Sequence, residues 1–353
     1  MNETRKKTRF SLNFFLISCV AILFNAIPLH ADIYINEIMP ANVSYKFDPT
    51  WNFGGWIELY NNGETAVSLW TWRLLDEAGN AWTIPNSSAK IAAKGYYVIW
   101  FDHNDLLNTQ ASFKLNCEGG TLTLKSGTTI KATATYPASI PNTSYARTTD
   151  GGTTWSLCNT PTCQGSNNNA TFVEERCPAP TFDVPGGLYT TSKATKCIIP
   201  TGYTLRYTTN GDEPTETSTQ STTGNFSFTQ TTVLRAKLFK TGLIPSECIT
   251  HSYIINTRKF TLPVISIVCN PKYLWDDSVG IYTTGVNGIA GNGSGTTRVN
   301  WNQDWSRPVN IELMKQGAVT PFFEQQAEVC IAGGWSRGWD EKSFQVSAER
   351  KYE

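Results

Sequence analysis

Residue types that often carry catalysis or bind metals are scarce in this sequence. The only histidines are His30, His103 and His251, too few for a histidine-rich metal site, and a histidine-dependent triad is hard to build from them. None of the nine cysteines forms a CxxC unit, the close spacing that is typical of zinc sites. The sequence therefore predicts no metal site and leaves catalytic residues unassigned.

A glycine-rich run, GIAGNGSG at residues 288–295, differs from known phosphate-binding loops. It lacks the Lys-Ser/Thr pair that follows the glycines of a Walker A loop. It also does not match GxGxxG between a strand and a helix. We interpret the run as an Asn/Gly-rich insertion.

Three acidic residues, Asp212, Glu213 and Glu216, are close enough in sequence to suggest a glycosidase carboxylate pair. They follow Asn210-Gly211, which is a strong tight-turn signal after an alternating strand. The oxygen ligands lack the regular spacing of a calcium loop. The sequence favours a solvated turn at this position.

Tryptophans are frequent before residue 170, and Trp70 and Trp72 lie two positions apart. In a strand this spacing places both rings on one face, where an exposed pair could stack on a sugar ring. The alternative is that both rings fill a hydrophobic core, because aromatic side chains contribute much of the buried area there. Trp70 and Trp72 are candidate glycan-binding residues on the first interpretation.

The N-terminus predicts export. A basic head at residues 1–9 precedes an apolar run from residue 10 to about 27 and a small residue, Ala31, which together resemble a secretory signal peptide over residues 1–31. An uncleaved membrane anchor and a lipoprotein signal ending at Cys19 are the alternatives. All three interpretations export the chain, and no second long apolar segment follows. We expect a secreted or cell-surface protein with no transmembrane segment after the signal.

Cysteine usage in an exported chain permits disulfides. Removal of the signal peptide, which contains Cys19, leaves eight of the nine cysteines. Cys158 and Cys163 bracket a turn that contains Pro161, and this spacing predicts a disulfide between them.

The composition favours β-sheets and argues against nucleic acid as a partner. The formal net charge is +0, and charged residues make up 16% of the chain. No basic patch is available to neutralise phosphates. We expect protein or glycan ligands at the cell surface.

Alternating apolar and polar residues recur between residues 32 and 170, with Asn, Gly and Pro between them. The segments INEIM (35–39), WIELYN (56–61), GTLTL (120–124) and SYAR (144–147) occur in an order that resembles the lamin tail domain. This resemblance implies an immunoglobulin-like β-sandwich used for binding or spacing. It departs from the family at Ala146, where glycine is usual. Residues 167–169, three asparagines, predict a linker after it.

Residues 177–256 resemble the C-terminal β-sandwich domain of chitobiase and β-hexosaminidase. The matching elements are GGLY (186–189), YTTNGDEPT (207–215) and VLRAK (233–237), followed by a G-x-x-P-S segment from Gly242. In that family the domain is an accessory to a catalytic domain.

Residues 260–353 resemble the N-terminal part of the spore coat protein H (CotH) kinase family. The elements are LPVISI (262–267), RPVNIE (307–312), GGWSR (333–337) and KSF (342–344). The resemblance implies that Lys342 contacts phosphate, that Ser336 and Arg337 lie beside the nucleotide, and that ATP and Mg²⁺ are bound once the domain is complete. The family's catalytic aspartates come later in the chain, so we expect no complete active site here and poorly covered strand faces around Val309 and Ile311.

The sequence thus predicts a mainly β protein with two tandem immunoglobulin-like β-sandwiches followed by an incomplete α+β kinase-like domain. The first functional hypothesis is the N-terminal part of an exported, CotH-like atypical protein kinase, with enzyme status left open. The alternatives are a non-catalytic adhesion protein that binds glycan or protein, and an accessory region of a carbohydrate-active enzyme.

Overall fold

The computed structural model describes residues 32–102, 109–318 and 320–352, and these are mainly β. The predicted signal peptide lies outside the described residues. The strands fall into three groups along the chain, which we call the first, second and third modules.

The first module contains β1 (Ile33–Met39), β2 (Gly55–Asn61), β3 (Val67–Ser68), β4 (Arg73–Asp76), β5 (Ala81–Thr83), β6 (Lys90–Ile91), β7 (Tyr96–Phe101), β8 (Gly120–Ser126), β9 (Thr129–Tyr136), β10 (Ser144–Arg147), β11 (Trp155–Cys158) and β12 (Phe172–Val173).

Two sheets form the sandwich of the first module. Six strands pair in the order β12-β11-β10-β1-β2-β7, and four pair in the order β5-β4-β8-β9, with β3 and β6 as a short ribbon. The core between the sheets includes Ile35, Leu59, Leu74 and Leu124, all fully buried. Burial of these strand faces supplies the main stabilisation of the module.

The predicted linker at Asn167–Asn169 is wrong. These residues form a 3₁₀ turn, and Asn167 is buried. Its side-chain amide donates hydrogen bonds to the carbonyls of Asn36 (3.1 Å) and Arg147 (2.9 Å). Because β12 then pairs with β11, the sheet continues to Val173, past the expected boundary at residue 170.

The second module contains β13 (Gly187–Tyr189), β14 (Lys193–Lys196), β15 (Thr204–Thr208), β16 (Thr219–Ser221), β17 (Asn225–Phe228), β18 (Thr232–Phe239) and β19 (Ile249–Ile255). Five strands pair in the order β13-β19-β18-β15-β16, and β14 pairs with β17. The two sheets enclose Cys197, Leu205, Ala236 and Leu238.

The third module contains β20 (Val264–Val268), a short α1 (Lys272–Trp275), β21 (Arg307–Met314), β22 (Phe323–Ala332) and β23 (Ser343–Ser347). Further 3₁₀ turns lie at Asn300–Asn302, Trp335–Gly338 and Arg350–Tyr352. The four strands pair antiparallel in chain order, so each connection joins neighbours in the sheet.

The β1–β2 loop of the first module packs into the core of the third. Phe53 is buried there with Val309 and Ile311, and Phe47 packs against the same cluster. Val309 and Ile311 are therefore 5% and 6% exposed, so the expectation that they lack cover is wrong. The apolar side chains left exposed on this sheet include Ile265 (62%) and Phe323 (46%).

Candidate functional site

The three residues assigned to a nucleotide lie together at one end of the third module's sheet. Ser336 and Arg337 belong to the 3₁₀ turn between β22 and β23, and Lys342 immediately precedes β23. Gly333 opens this turn with a φ of 96°, a value that favours glycine. The short connection between paired strands is what brings Lys342 back beside the turn.

The glycine-rich run lies against the same turn. A Cβ placed on Gly338 would come within 2.6 Å of the carbonyl oxygen of Gly293. Gly293 has a φ of 87°, and Ser294 closes its loop by donating a hydrogen bond from Oγ to the carbonyl of Gly291 (2.8 Å). The run interpreted as an insertion is thus an ordered loop next to the candidate site.

The Lys342 side chain packs against two aromatic rings. Its Nζ lies 3.9 Å from the ring centroid of Trp301 and 5.3 Å from that of Tyr282, which are cation–π distances. Nζ donates a hydrogen bond to the carbonyl of Trp339 (2.7 Å), and the backbone N–H of Lys342 donates to Oη of Tyr282 (2.8 Å). Partial burial lowers the pKa of Lys342 from its ordinary value.

Arg337 also points its guanidinium at backbone carbonyls. Nε donates to Gly333 (2.7 Å) and Nη1 to Trp301 (3.2 Å). Ser336, Arg337 and Lys342 therefore offer one hydroxyl and two cations at one end of a sheet. This donor set suits an anion such as a phosphate group.

The same donor set does not fit Mg²⁺, which prefers carboxylate and water oxygens. Within residues 32–102, 109–318 and 320–352 we find no group of three or more His, Cys, Asp or Glu side chains that could hold a metal ion. No step is assigned to a metal at the Lys342 site.

Trp70 and Trp72 do not form an exposed pair, so the expected shared face is wrong. Trp70 is 56% exposed, whereas Trp72 is 7% exposed and packs in the core of the first sandwich. The intervening Thr71 has a φ of 64°, and the N–H of Trp72 donates to the carbonyl of Leu69 (3.0 Å). A turn rather than a strand therefore separates the two rings. Glycan binding at Trp70 itself stays a prediction.

Cys158 and Cys163 are both buried, and the structure holds them as free thiols. Burial raises the pKa of Cys158 to about 11 and that of Cys163 to about 12, so both are protonated at neutral pH. Protonated thiols are weak nucleophiles. The predicted disulfide between Cys158 and Cys163 is not formed in this structure.

A cluster of acidic side chains in the first module, here called the acid cluster, was missed by the sequence reasoning. Glu37 and Glu58 are fully buried, and Asp150 lies beside them. Glu58 Oε2 accepts from the backbone N–H of Gln164 (2.6 Å), and Glu37 Oε2 accepts from Oγ1 of Thr162 (2.6 Å). The sequence contains a signal for this cluster, because Glu37 and Glu58 each interrupt an otherwise largely apolar strand segment.

The pKa values within the acid cluster diverge. Burial, assisted by Glu37, raises the pKa of Glu58 to about 8, and burial also raises the pKa of Glu37. Burial would raise the pKa of Asp150 too, but hydrogen bonds from Ser166 and Tyr96 outweigh it and the pKa is lowered. The cluster fixes the segment around residues 161–167 against β1 and β2, which is a structural role.

The fold and these sites define a multi-domain β-sandwich protein with immunoglobulin-like modules. Residues 28–160 match the family model of the Lamin Tail Domain, and residues 184–250 match that of the Chitobiase/beta-hexosaminidase C-terminal domain. Both resemblances inferred from the sequence are thereby confirmed. A comparison with curated proteins finds no match. No helix among the described residues is long and apolar enough to cross a membrane.

Proposed function

We propose that this chain supplies the nucleotide-side sheet of a CotH-like atypical protein kinase, with the two sandwiches as accessory modules. The observation that carries the proposal is the convergence of Ser336, Arg337 and Lys342 beside the Gly293 loop. Four antiparallel strands in chain order support it, because this order places the β20–β21 connection, which contains Gly293, and the β22–β23 connection at the same end of the sheet. The kinase-like resemblance of residues 260–353 and the α+β fold that it implies belong to this proposal.

ATP binding at this site requires Lys342 to change partners. Its Nζ now contacts the carbonyl of Trp339 and the ring of Trp301. A phosphate oxygen competes well with a neutral carbonyl for an ammonium group, because charge-assisted hydrogen bonds are roughly twice as strong. Arg337 lies close enough in the chain to assist, and the exposed ring of Trp339 lies at the rim.

Transfer of phosphate needs more than these residues. Carboxylates must orient the acceptor hydroxyl and hold Mg²⁺. Asp276, Asp277, Asp304 and Asp340 do not match the family's catalytic aspartates, so this chain is proposed to be catalytically incomplete. The acceptor is therefore not assigned.

Two measurements test the proposal. Titration with ATP should show saturable binding that Lys342→Ala weakens about tenfold and that the exposed-site control Lys315→Ala leaves unchanged. With labelled ATP and Mg²⁺ or Mn²⁺, this chain should not transfer phosphate, and transfer by it would contradict the proposal that it is catalytically incomplete. Equal ATP binding by wild type and Lys342→Ala would remove Lys342 from the site.

Export to the cell surface or medium is part of the proposal, supported by the signal-like pattern of residues 1–31. N-terminal sequencing of secreted material should find a chain that begins at Asp32. A chain that retains Met1, or one that begins at a lipidated Cys19, would contradict cleavage after Ala31.

A second candidate function is glycan or protein binding at the cell surface, and the exposed tryptophans favour it. Trp335, Trp339 and Trp275 are 82%, 68% and 58% exposed, in a fold where large aromatic rings are usually covered. The accessory role of the chitobiase-type domain is compatible with it. A glycan array should show binding that Trp335→Ala and Trp339→Ala abolish, while the exposed-site control Lys315→Ala leaves it unchanged. Binding that survives both changes would dismiss these rings.

A further inference from the structure

A polar cavity lies where residues of all three modules meet, and we call it the junction cavity. Its volume is about 380 Å³, within the range of small-molecule sites. Asn142 comes from the first module, Arg235 and Lys237 from the second, and Asn310 and Tyr273 from the third. A smaller pocket of about 140 Å³ adjoins it and shares Asn142 and Lys237. The described residues that line it belong to one structural unit.

Positive charge is in excess around the junction cavity. The cations that line the two pockets are Arg176, Arg235, Lys237 and Lys272, and the carboxylates are Glu213 and Glu247. Lys237 is paired with Glu213 at 2.8 Å. Two cations therefore have no carboxylate to balance them within the lining, and a cleft lined by excess charge of one sign concentrates ions of the other.

The pKa of Glu213 is consistent with this excess of positive charge. Burial would raise the pKa of its carboxyl, yet Lys237, Arg235 and Arg176 outweigh that effect and the pKa is lowered. The position was interpreted from sequence as a solvated turn, but its carboxylate lies among three cations. One carboxylate does not neutralise that group.

Arg235 is rigidly placed. Its Nη1 donates to the carbonyl of Gly211 (2.9 Å), and its Nε donates to Oγ1 of Thr250 (3.2 Å). A guanidinium fixed by two bonds loses little further freedom when it binds an anion. A fixed planar fork is also suited to a carboxylate.

An unpartnered donor lies in the wall of the junction cavity. Asn310 is 5% exposed, and its Nδ2 has no hydrogen-bond partner among the described residues. Gln326, its direct partner across β21 and β22, lines the same cavity, so two amide side chains stand next to each other. A buried amide without a protein partner is rare in folded proteins, and here, in the wall of a cavity, a ligand group can complete its hydrogen bonding.

We propose that the junction cavity binds a small hydroxylated carboxylate, such as a uronate unit of an acidic glycan. The carboxylate is received by Arg235 and Lys272, and the hydroxyl groups by the amides of Asn310 and Gln326. Tyr273 supplies an apolar wall of limited exposure. The site is separate from Lys342 and does not depend on the kinase proposal.

Calorimetric titration of the full chain with galacturonate tests the proposal, with neutral galactose and inorganic phosphate as comparisons. Wild type should bind galacturonate saturably with one site per chain, and more weakly as salt is added. Asn310→Asp places a negative charge in the cavity and should weaken binding at least about tenfold. Lys272→Gln, at an exposed position on the rim, should weaken it several-fold. The exposed control Lys131→Gln should bind like wild type.

Galactose binding as tightly as galacturonate would overturn the proposal, because the cations would then have no role. Phosphate binding as tightly as galacturonate would overturn the assignment of hydroxyl groups to Asn310 and Gln326. Absence of galacturonate binding to wild type would overturn the proposal altogether. If Asn310→Asp does not fold, unchanged binding by Lys272→Gln is the result that contradicts it.

Discussion

Glu37 and Glu58 are direct partners across β1 and β2, and both side chains are fully buried. Two carboxylates placed opposite each other in a sheet repel when both are ionised. The raised pKa of Glu58, about 8, means that this carboxyl keeps its proton at neutral pH and repulsion is avoided. The folded first module therefore contains a protonated, buried Glu58 carboxyl at neutral pH.

The Glu58 proton predicts that stability falls as pH rises. In the unfolded chain Glu58 loses its proton near pH 4.5, but in the folded chain it does so only near pH 8. Between these values the folded state binds more protons, so the free energy of unfolding decreases with pH by up to about 1.4 kcal/mol per unit. Glu58→Gln should remove this contribution.

The measurement is the difference in Tm between Glu58→Gln and wild type from pH 4.5 to pH 8. That difference should increase with pH by on the order of 10 °C, since the effect sums to as much as about 5 kcal/mol over this range and about 1 kcal/mol shifts the Tm of a module this size by roughly 2–4 °C. Glu216→Gln, in an exposed turn, is the matched control for the glutamate-to-glutamine change. A constant difference for Glu58→Gln would contradict the buried-proton interpretation.

Truncation of the two tryptophans in the β3–β4 turn should change the free energy of unfolding by very different amounts. Trp72→Ala removes a buried ring and should lower the free energy of unfolding by about 3–5 kcal/mol. Trp70→Ala removes an exposed ring and should change it by less than about 0.5 kcal/mol. Urea unfolding followed by fluorescence measures both. Similar losses for the two variants would contradict the turn that separates the rings.

Short-range signals predicted the sandwiches well. The chain bends at Asn210-Gly211, where Gly211 has a φ of 92° that glycine adopts without strain, but β16 begins only at Thr219, so a long loop rather than a tight hairpin turn follows β15. Alternation also identified β8, where the buried Leu122 and Leu124 alternate with partly exposed residues, because a half-buried strand imposes period 2 on its own residues. It located β2 as well, although every residue of that strand is buried. These features depend only on residues close in the chain.

Long-range features were not predictable in the same way. Alternation placed Trp70 and Trp72 on one face, but Thr71 in the left-handed region breaks the period. The buried partnership of Glu37 with Glu58 depends on a β-bulge between Ile35 and Glu37, which shifts the register. Neither the bulge nor the φ of Thr71 has a signature in residue types alone. Contacts between modules are even less predictable from residue types, because they join segments far apart in the chain.

Arg307 joins the first and third modules and should be essential to their contact. It is fully buried, and its Nη1 donates to the carbonyl of Trp51 while its Nε donates to that of Val279. Its guanidinium also lies 5.1 Å from the ring centroid of Phe47. Removing these charge-assisted hydrogen bonds would leave the buried carbonyls without a partner, which costs on the order of 3 kcal/mol.

Arg307→Met is therefore expected to lower the free energy of unfolding by that amount and to expose the β1–β2 loop to protease. Limited proteolysis should cut near residues 43–54 in the variant and not in wild type. Arg258→Met, at an exposed position, serves as the control. Wild-type protease resistance in Arg307→Met would show that aromatic packing of Phe47 and Phe53 holds the modules together without the guanidinium.

The surface between the second and third modules contains a histidine whose titration opposes that of Glu58. His251 on β19 has its Nε2 4.0 Å from Oε2 of Glu324 on β22, and burial lowers the pKa of His251 to about 4. Burial, with Glu312 nearby, raises the pKa of Glu324 to about 7. At neutral pH the histidine is therefore uncharged, and the pair is not a salt bridge.

His251→Phe should stabilise the protein at acidic pH. In the unfolded chain His251 takes up a proton near pH 6.5, but the folded chain resists this until about pH 4. Between these values the unfolded state binds more protons, so wild type loses stability as pH falls, by up to about 1.4 kcal/mol per unit. The phenylalanine ring keeps the contact with Phe182, whose centroid lies 5.3 Å from the imidazole.

The difference in Tm between His251→Phe and wild type should therefore be constant above pH 6.5 and increase as pH falls to 4. Glu58→Gln is the internal comparison, since its difference increases in the opposite direction. A difference for His251→Phe that is constant from pH 4 to 7 would mean that the folded histidine accepts its proton normally, and the contact with Glu324 would then act as an ion pair.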